Sequence, residues 1–355
     1  MKETIEKILT LAINAPSGDN SQPWRFEVKD NIIFVFNLPK SDNPILNINQ
    51  RGSYIGHGGL LENISIAATK FQLQAQLELF PDERQKDLVA KVVLCDSHVE
   101  TDALFPYLSQ RHTNRRKYKN IKMTLEQTNA LKQEIIKIGQ ENKVRLIFID
   151  DDEKKKLIGR AMSSIEEIIL QHKDLHALLF KDIIWSKKVF AKLKKGFYIG
   201  TMEFNLMQKF VFFLASNWQR AIWLNKLGLA KMVAKEDAKL YSSGAAVGAI
   251  IIPEDTQENF IFAGRAMERV WLKATALGLA FHPVSALCFA RLRIVAGSGD
   301  VFDNAQTDKI LSNYQVLHDL FNVGNNLIAM SFRIGFAPPV RAKALKSQPD
   351  VKFIN

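Results

Sequence analysis

A segment of sixteen residues occurs twice in this chain, and the repeat limits its architecture more than any other feature. Gly58 to Leu73 (GGLLENISIAATKFQL) lies on Gly264 to Leu279 (GRAMERVWLKATALGL) at an offset of 206. Gly58/Gly264, Glu62/Glu268, Ala68/Ala274, Thr69/Thr275 and Leu73/Leu279 are identical, and Ile64/Val270, Ile66/Leu272 and Phe71/Leu277 are similar. A repeat at this distance in 355 residues points to duplication of a module of ordinary domain size. The expected organisation is two related α+β modules, residues 1–105 and 106–355, the second carrying a helical insertion at about 151–235. The alternative is two buried helices that arrived at similar residues independently.

Periodicity fills in the modules. Ile5, Ile8, Leu9, Ala12 and Ile13 fall at helical spacing, so residues 2–14 are read as a helix. Trp24–Val28 and Ile32–Phe36 read as strands around a turn, and Ser53 to about Lys70 as an apolar helix. Leu73–Leu79 alternates strictly and is a strand with one wet face, with Leu88–Leu94 as its partner. In the second half, Thr124 and Gln127 mark a capping box ahead of a helix to Ile138, followed by a strand at Val144–Ile149. Residues 151–185 read as largely helical and Glu203–Leu227 as one long helix. A strand at Ala245–Ile252, helices at Ala263–Gly278 and Gln306–Phe321, and a last strand at Leu327–Phe336 complete the reading.

With 47% hydrophobic and 24% charged residues the chain can bury a core, which excludes wholesale disorder and low-complexity fibres. Lys and Arg number 48 against 37 Asp and Glu, a net charge of +11 that leaves phosphate ligands, nucleic acid and membrane surfaces open as anionic partners. Cys95 and Cys288 form neither a disulfide framework nor a CxxC pair, and no metal site is expected. The amino terminus lacks a signal-peptide pattern, and the apolar stretch Phe197–Leu229 is interrupted by Glu203, Lys209, Arg220 and Lys226. A reducing, cytoplasmic location follows as the expectation.

Three segments are suited to chemistry. Ala15 to Phe26 (APSGDNSQPWRF) breaks a helix with Pro16 and Gly18 and offers Ser17, Asn20 and Gln22 to the edge of a heteroaromatic ring. An ordinary polar loop would have the same composition. Arg111-His112-Thr113-Asn114-Arg115 sets two guanidinium groups around a hydroxyl, a donor set for phosphate, although a solvated basic connector or a nucleic-acid patch would read alike. Gly278 to Ser285 (GLAFHPVS) ends the repeated helix in a turn whose backbone N–H groups are candidates to face a ligand. His282 reads as a packed histidine, since no carboxylate lies nearby in sequence.

Together these segments resemble the nitroreductase family. APSGDNSQPWRF is similar to its Pro-Ser, Asn, Gln-Pro-Trp signature. RHTNR is similar to the Arg-x-Ser/Thr-x-Arg/Lys segment with which that family holds the phosphate and ribityl chain of FMN. The repeated helix with GLAFHP, and SFRIGFAPP followed by Arg341, resemble its flavin-floor loop and its last strand with a terminal basic residue. The resemblance implies a nitroreductase-like fold, FMN as cofactor, and NADH or NADPH as hydride donor to flavin N5. Electrons then pass to a nitroaromatic, quinone or similar small acceptor, and no side chain acts as nucleophile. It further implies that Pro16, Ser17, Gly18, Asn20 and Gln22 border the ring. Arg111, His112, Thr113, Arg115 and Arg341 hold the phosphate end, and His282, Pro283, Val284 and Ser285 lie by N5 and O4.

The order of the motifs departs from that family, in which the Arg-x-Ser/Thr-x-Arg segment comes first. No second RxTxR precedes residue 15, and where a second Pro-Ser loop is due the chain reads Gln140-Glu141-Asn142-Lys143-Val144-Arg145-Leu146. A fused pseudo-dimer with one complete site is expected, as a monomer or a homodimer, with neither nucleic acid nor membrane as partner. An FMN storage or sensor protein without efficient turnover is the alternative function. Phe204 to Trp223 lies outside the family pattern and is expected to pack in the core of the pseudo-dimer, with a lid over the flavin as the alternative.

Overall fold

The amino-terminal helix α1 (Lys2–Ala12) buries Ile5, Ile8, Leu9 and Ala12, the stripe its spacing demands. The structure is a computed structural model that describes residues 1–139, 143–298 and 301–354. Of the segment expected to replace a second Pro-Ser loop, Gln140 to Asn142 lie outside the described residues.

Strands β1 (Trp24–Lys29) and β2 (Ile32–Asn37) turn at Asp30, whose φ is +52°. The apolar helix α2 (Arg51–Thr69) follows, then β3 (Leu73–Leu79) and β4 (Leu88–Asp96). The second half opens with α3 (Leu125–Ile136). Its capping box is formed: Thr124 Oγ1 accepts from the Gln127 N–H at 3.2 Å, and Gln127 Oε1 accepts from the Thr124 N–H at 3.0 Å. After β5 (Arg145–Ile149) the chain leaves the module through α4 (Asp152–Gln171), α5 (Lys173–Lys181), β6 (Ile183–Ile184), α6 (Lys187–Leu193), β7 (Phe197–Tyr198), α7 (Leu206–Ala215), α8 (Trp218–Lys226) and α9 (Leu229–Tyr241). It returns as β8 (Ala246–Ile252), α10 (Gln257–Ala276), β9 (Ala280–Pro283), α11 (Ala286–Val295), α12 (Asn304–Leu320) and β10 (Leu327–Gly335). A tail ends in β11 (Val351–Phe353).

The two halves share one topology. The first sheet runs β11-β1-β2-β4-β3 and the second β5-β8-β10-β9. With β11 set aside the orders superimpose strand for strand, and every neighbouring pair is antiparallel in both. The fold class is α+β, two related modules with sheets flanked by helices. Strand β11 comes from the carboxy-terminal tail yet pairs in parallel with β1, Phe26 opposite Val351, and makes the first sheet mixed.

The repeated helices α2 and α10 cross at the centre. A Cβ on Gly58 would lie 2.1 Å from the Ile261 carbonyl oxygen, and one on Gly264 would lie 2.1 Å from that of Ile55. Glycine costs a helix about 1 kcal/mol relative to alanine, and here it lets two backbones touch. One apolar core joins α1, the first sheet, α2, α10 and one face of the second sheet. A second core lies between the opposite face of that sheet, α4 and α12, so β8 is buried on both sides.

The single helix expected over Glu203–Leu227 is two. Ser216 and Asn217 break it, and the Asn217 side chain accepts from the Arg220 N–H to cap α8. The expectation that Phe204–Trp223 packs in the core is also corrected. Phe212 turns inward, while Leu206, Met207, Phe210, Phe213 and Trp223 are exposed. Helices α9 and α11 and strand β11 are further elements that periodicity did not single out. Among the described residues no helix is long and apolar enough to cross a membrane.

Candidate functional site

The loop after α1 meets the segment before α3 at the seam between the modules, and two adjoining clefts open there. The larger, about 280 Å³, has apolar walls of Ile55, Met267, Trp271, Phe289 and Met330. Ser17, Asn43, Asn47 and Ser285 stand at its polar margin. The smaller, about 130 Å³, is lined by Arg111, His112, Thr113, Lys343 and Lys346, with Phe197 and Tyr198 from the insertion. Pro16, Ser17, Asp19, Thr113 and Arg115 line both, so the clefts are continuous.

Proline and glycine keep the first loop out of regular structure. Among the described residues no hydrogen bond uses the backbone N–H groups of Ser17, Gly18 or Asp19. Asp19 holds φ at +45°, and all three residues line the larger cleft. The amino-terminal end of α11 opens on the same space through Ser285 and Ala286, and its free N–H groups favour negative charge there.

Asn20 and Gln22 have other partners. Asn20 donates to the Leu345 carbonyl at 3.0 Å and accepts from Lys346 Nζ at 3.0 Å. Gln22 donates to the Lys194 carbonyl at 2.8 Å and accepts from the Ser347 N–H at 2.9 Å. Asn20 lines only the smaller cleft and Gln22 neither, so both fasten the tail over the seam instead of bordering the larger cleft.

The two arginines of RHTNR are unlike each other. Arg111 is buried 3.1 Å from Glu268, donates to the Asn14 carbonyl, and stacks its guanidinium 4.2 Å from the Trp271 ring. Glu268 is wholly buried, and its oxygens accept no aligned hydrogen bond from any of their neighbours. Burial raises its carboxyl and lowers Arg111, each opposed by the charge of the other. Arg111 is thus committed to the wall. Arg115 makes one hydrogen bond, to the Thr201 carbonyl at 3.3 Å, rests on the Phe197 ring, and has no carboxylate within ion-pair distance among the described residues. Burial pulls it down to about 10 against the opposing charge of Asp19, which does not unseat its proton at neutral pH.

Lys343 and Lys346 come from the tail, and motif reading missed them. Lys346 also donates to the Ala15 carbonyl at 2.8 Å, and burial with Arg111 nearby lowers it to about 7. Arg341, expected at the phosphate end, is instead exposed and 3.7 Å from Glu203, outside both clefts. On the opposite side Asp42 lines the larger cleft, accepts from the Asn43 N–H and the Ser53 hydroxyl, and is raised to about 6 by burial.

Of the turn after α10, Pro283 and Ser285 line the larger cleft. The Val284 N–H is taken by the Ser331 carbonyl at 2.8 Å, so it is not available to a ligand. His282 is buried and accepts at Nδ1 from Arg333 Nε at 3.1 Å. Burial, Arg333 and Arg115 hold it far below its ordinary range, so it is neutral, and it lines neither cleft, unlike the position by N5 and O4 that the resemblance implied.

The repeat sets different residues at equivalent points of α2 and α10. Glu62 corresponds to Glu268 and Asn63 to Arg269. Arg269 fills its side with ion pairs to Glu62 at 2.8 Å, Asp102 at 2.9 Å and Glu134 at 2.9 Å. Asn63 instead donates to the Ala12 carbonyl and leaves Glu268 to Arg111.

No family model matches the chain. It is 22% identical over 340 residues to an uncharacterized protein of Mycobacterium tuberculosis, covering 95% of this chain and 46% of that protein. A protein provisionally named an NAD(P)H nitroreductase, from the same species, is 29% identical over 119 residues, or 33% of this chain and 34% of its own. The chain therefore spans less than half the length of these curated relatives. Solved structures similar to it include a nitroreductase with bound FMN from Desulfitobacterium hafniense, with 10% identity, 71% of this chain and 98% of that one covered, and a TM-score of 0.40. An FMN-dependent nitroreductase from Mycobacterium smegmatis in complex with NADPH has 13% identity, 65% and 86% coverage, and a TM-score of 0.37.

Proposed function

We propose that the seam binds FMN and that the protein is an FMN-dependent oxidoreductase of the nitroreductase type. The observation that carries this reading is Arg115, with no carboxylate within ion-pair distance among the described residues and opposed only by the more distant charge of Asp19, at the junction of an apolar-walled slot and a basic pocket. A planar ring with a phosphorylated tail has that polarity. Ile55, Met267, Trp271 and Phe289 would flank the ring, with Ser17, the Gly18 and Asp19 N–H groups and Ser285 at its edge. Thr113, Arg115, Lys343 and Lys346 would receive the phosphate, where each charge-assisted hydrogen bond is worth about 1.5–3 kcal/mol.

When bound, FMN supplies the two-electron chemistry, moving hydride from NADH or NADPH to a nitroaromatic, quinone or similar acceptor. The chain orients and shields. Arg111 and Glu268 hold Trp271 and the wall in place. The α11 amino terminus favours negative charge accumulating at its end of the cleft. The neutral His282 moves no proton. Cofactor and chemistry are those of a reducing compartment, and we place the protein in the cytoplasm.

The visible spectrum of the purified full chain, with its extracted chromophore identified, tests the cofactor. Consumption of NADH or NADPH that depends on an added acceptor tests turnover. One feature favours a second reading, storage or sensing. The tail at Ala342–Lys346 and the insertion at Gly196–Thr201 both lie against the smaller cleft. FMN that stays bound and is not reduced by either nucleotide would decide for it.

A further inference from the structure

We propose that the outer face of α7 and α8 is a docking surface for an anionic phospholipid bilayer. The proposal stands on the insertion alone and does not depend on the flavin reading. On α7, Leu206, Phe210 and Phe213 recur at i, i+4 and i+7, one helical face, with Met207 beside it. They are 87%, 58%, 54% and 69% exposed, and Trp223 on α8 and Leu227 just after it are exposed as well, at 62% and 68%. Isolated exposed apolar residues need no explanation, but four on one ten-residue helix do.

The face is built to be presented. Phe212, on the other side of α7, packs on Phe180 at 4.7 Å, Phe204 at 5.3 Å and Trp185 at 6.0 Å, anchoring the helix from within. Asn205 and Gln208 close a capping box at its start, and Asn217 caps α8. The helices are therefore ordered before any partner arrives.

Charge selects the partner. Residues 181–235 hold eleven Lys and Arg against Asp182 and Glu203 alone, a net +9 of the chain's +11. Lys187 and Lys188 follow Trp185, which touches Phe213 at 5.4 Å, while Lys209 lies on α7 and Arg220 and Lys226 on α8. An apolar face on a strongly cationic segment, with Lys209, Arg220 and Lys226 on its own two helices, places its rings at the acyl boundary and its ammonium groups among lipid phosphates. A second copy of the chain would bring the same +9 against it. Nucleic acid would take the lysines and leave the aromatic face in water. Helix α7, ten residues long, lies in the interface and cannot span it.

The test uses the full chain and sedimentation with vesicles of phosphatidylcholine alone, or with about one-third phosphatidylglycerol. The chain is expected to pellet with the anionic vesicles, to do so less at about 0.5 M salt, and to remain in solution with phosphatidylcholine alone. The double variant Phe210→Glu, Phe213→Glu should lower binding at least tenfold with an unchanged circular dichroism spectrum. In the unaltered protein, lipids brominated on their acyl chains should quench tryptophan emission, a readout that needs no variant. Failure to pellet with anionic vesicles, absence of quenching, or a folded double variant that binds as well as the parent would overturn the proposal. So would a dimer held together by this face.

Discussion

Gly58 and Gly264, equivalent positions of the repeated segment, meet backbone to backbone where α2 crosses α10. Each would drive a Cβ to 2.1 Å from a carbonyl oxygen of the other helix. Neither helix can retreat without parting the two modules. Gly58→Ala and Gly264→Ala should each lower stability by about 3 kcal/mol, read as a lower urea midpoint. Gly52→Ala is the control, since its nearest contact is the Asn47 side-chain oxygen at 3.1 Å and not a backbone carbonyl at 2.1 Å, and it should cost far less.

The arginines of RHTNR should separate by phenotype. Arg111→Ala leaves the wholly buried Glu268 without its counter-charge and should cost about 3–5 kcal/mol of stability. Adding Glu268→Gln should recover most of that loss. Arg115→Ala should leave the unfolding midpoint nearly unchanged and weaken FMN binding by about 1.5–3 kcal/mol in titration calorimetry. Lys117→Ala, at an exposed position, should do neither. Equal effects at all three positions would reject the assignment.

Asp42 makes stability depend on pH in an unusual sense. Its folded pKa, about 6, lies above the ordinary value of 3.8, so the folded state holds this proton more tightly than the unfolded state. The benefit is complete below the unfolded value and is lost as pH rises through the folded one. Asp42→Asn removes the charge, keeps one acceptor oxygen for the Asn43 N–H, and sets an amide N–H2 where the second oxygen met the Ser53 hydroxyl, which then accepts instead of donating. It should be more stable than the parent at pH 8 and equal to it near pH 3. A difference independent of pH would refute the assignment.

The tail should loosen when its fasteners are removed. Asn20→Ala deletes the hydrogen bonds to Leu345 and Lys346, and Gln22→Ala those to Lys194 and Ser347. Each should weaken local protection by about 1–3 kcal/mol. Hydrogen exchange at Val351–Phe353 and protease cleavage near residue 345 would report it, while α3 amides keep their protection.

Much of this was legible in the sequence, and the reasons for the remainder are physical. Strand alternation at Leu73–Leu79 and the Thr124–Gln127 box are local codes, and both appear as written. The repeat predicted paired modules, and the matching strand orders bear it out. The roles of Asn20, Gln22 and Arg111 were not legible, because the partners that set them lie far along the chain: Leu345 and Ser347 in the tail, Lys194 in the insertion and Glu268 in α10. One signal did exist: Glu268 recurs as Glu62 on an otherwise apolar helix, and a buried acid requires a cation. The break at Ser216–Asn217 was also written there, as a capping residue inside an apolar run. Composition hid it, since Phe210 and Phe213 read as core wherever they point.

Strand β11 has a bearing on how the polypeptide is made. Its partner β1 leaves the ribosome more than 300 residues earlier, and the register Phe26–Val351 cannot form until residue 353 has emerged. Until then the nascent first sheet carries an open edge, the surface on which unfinished chains adhere to one another. Chaperone engagement during synthesis should concentrate on that edge and cease when the last strand docks.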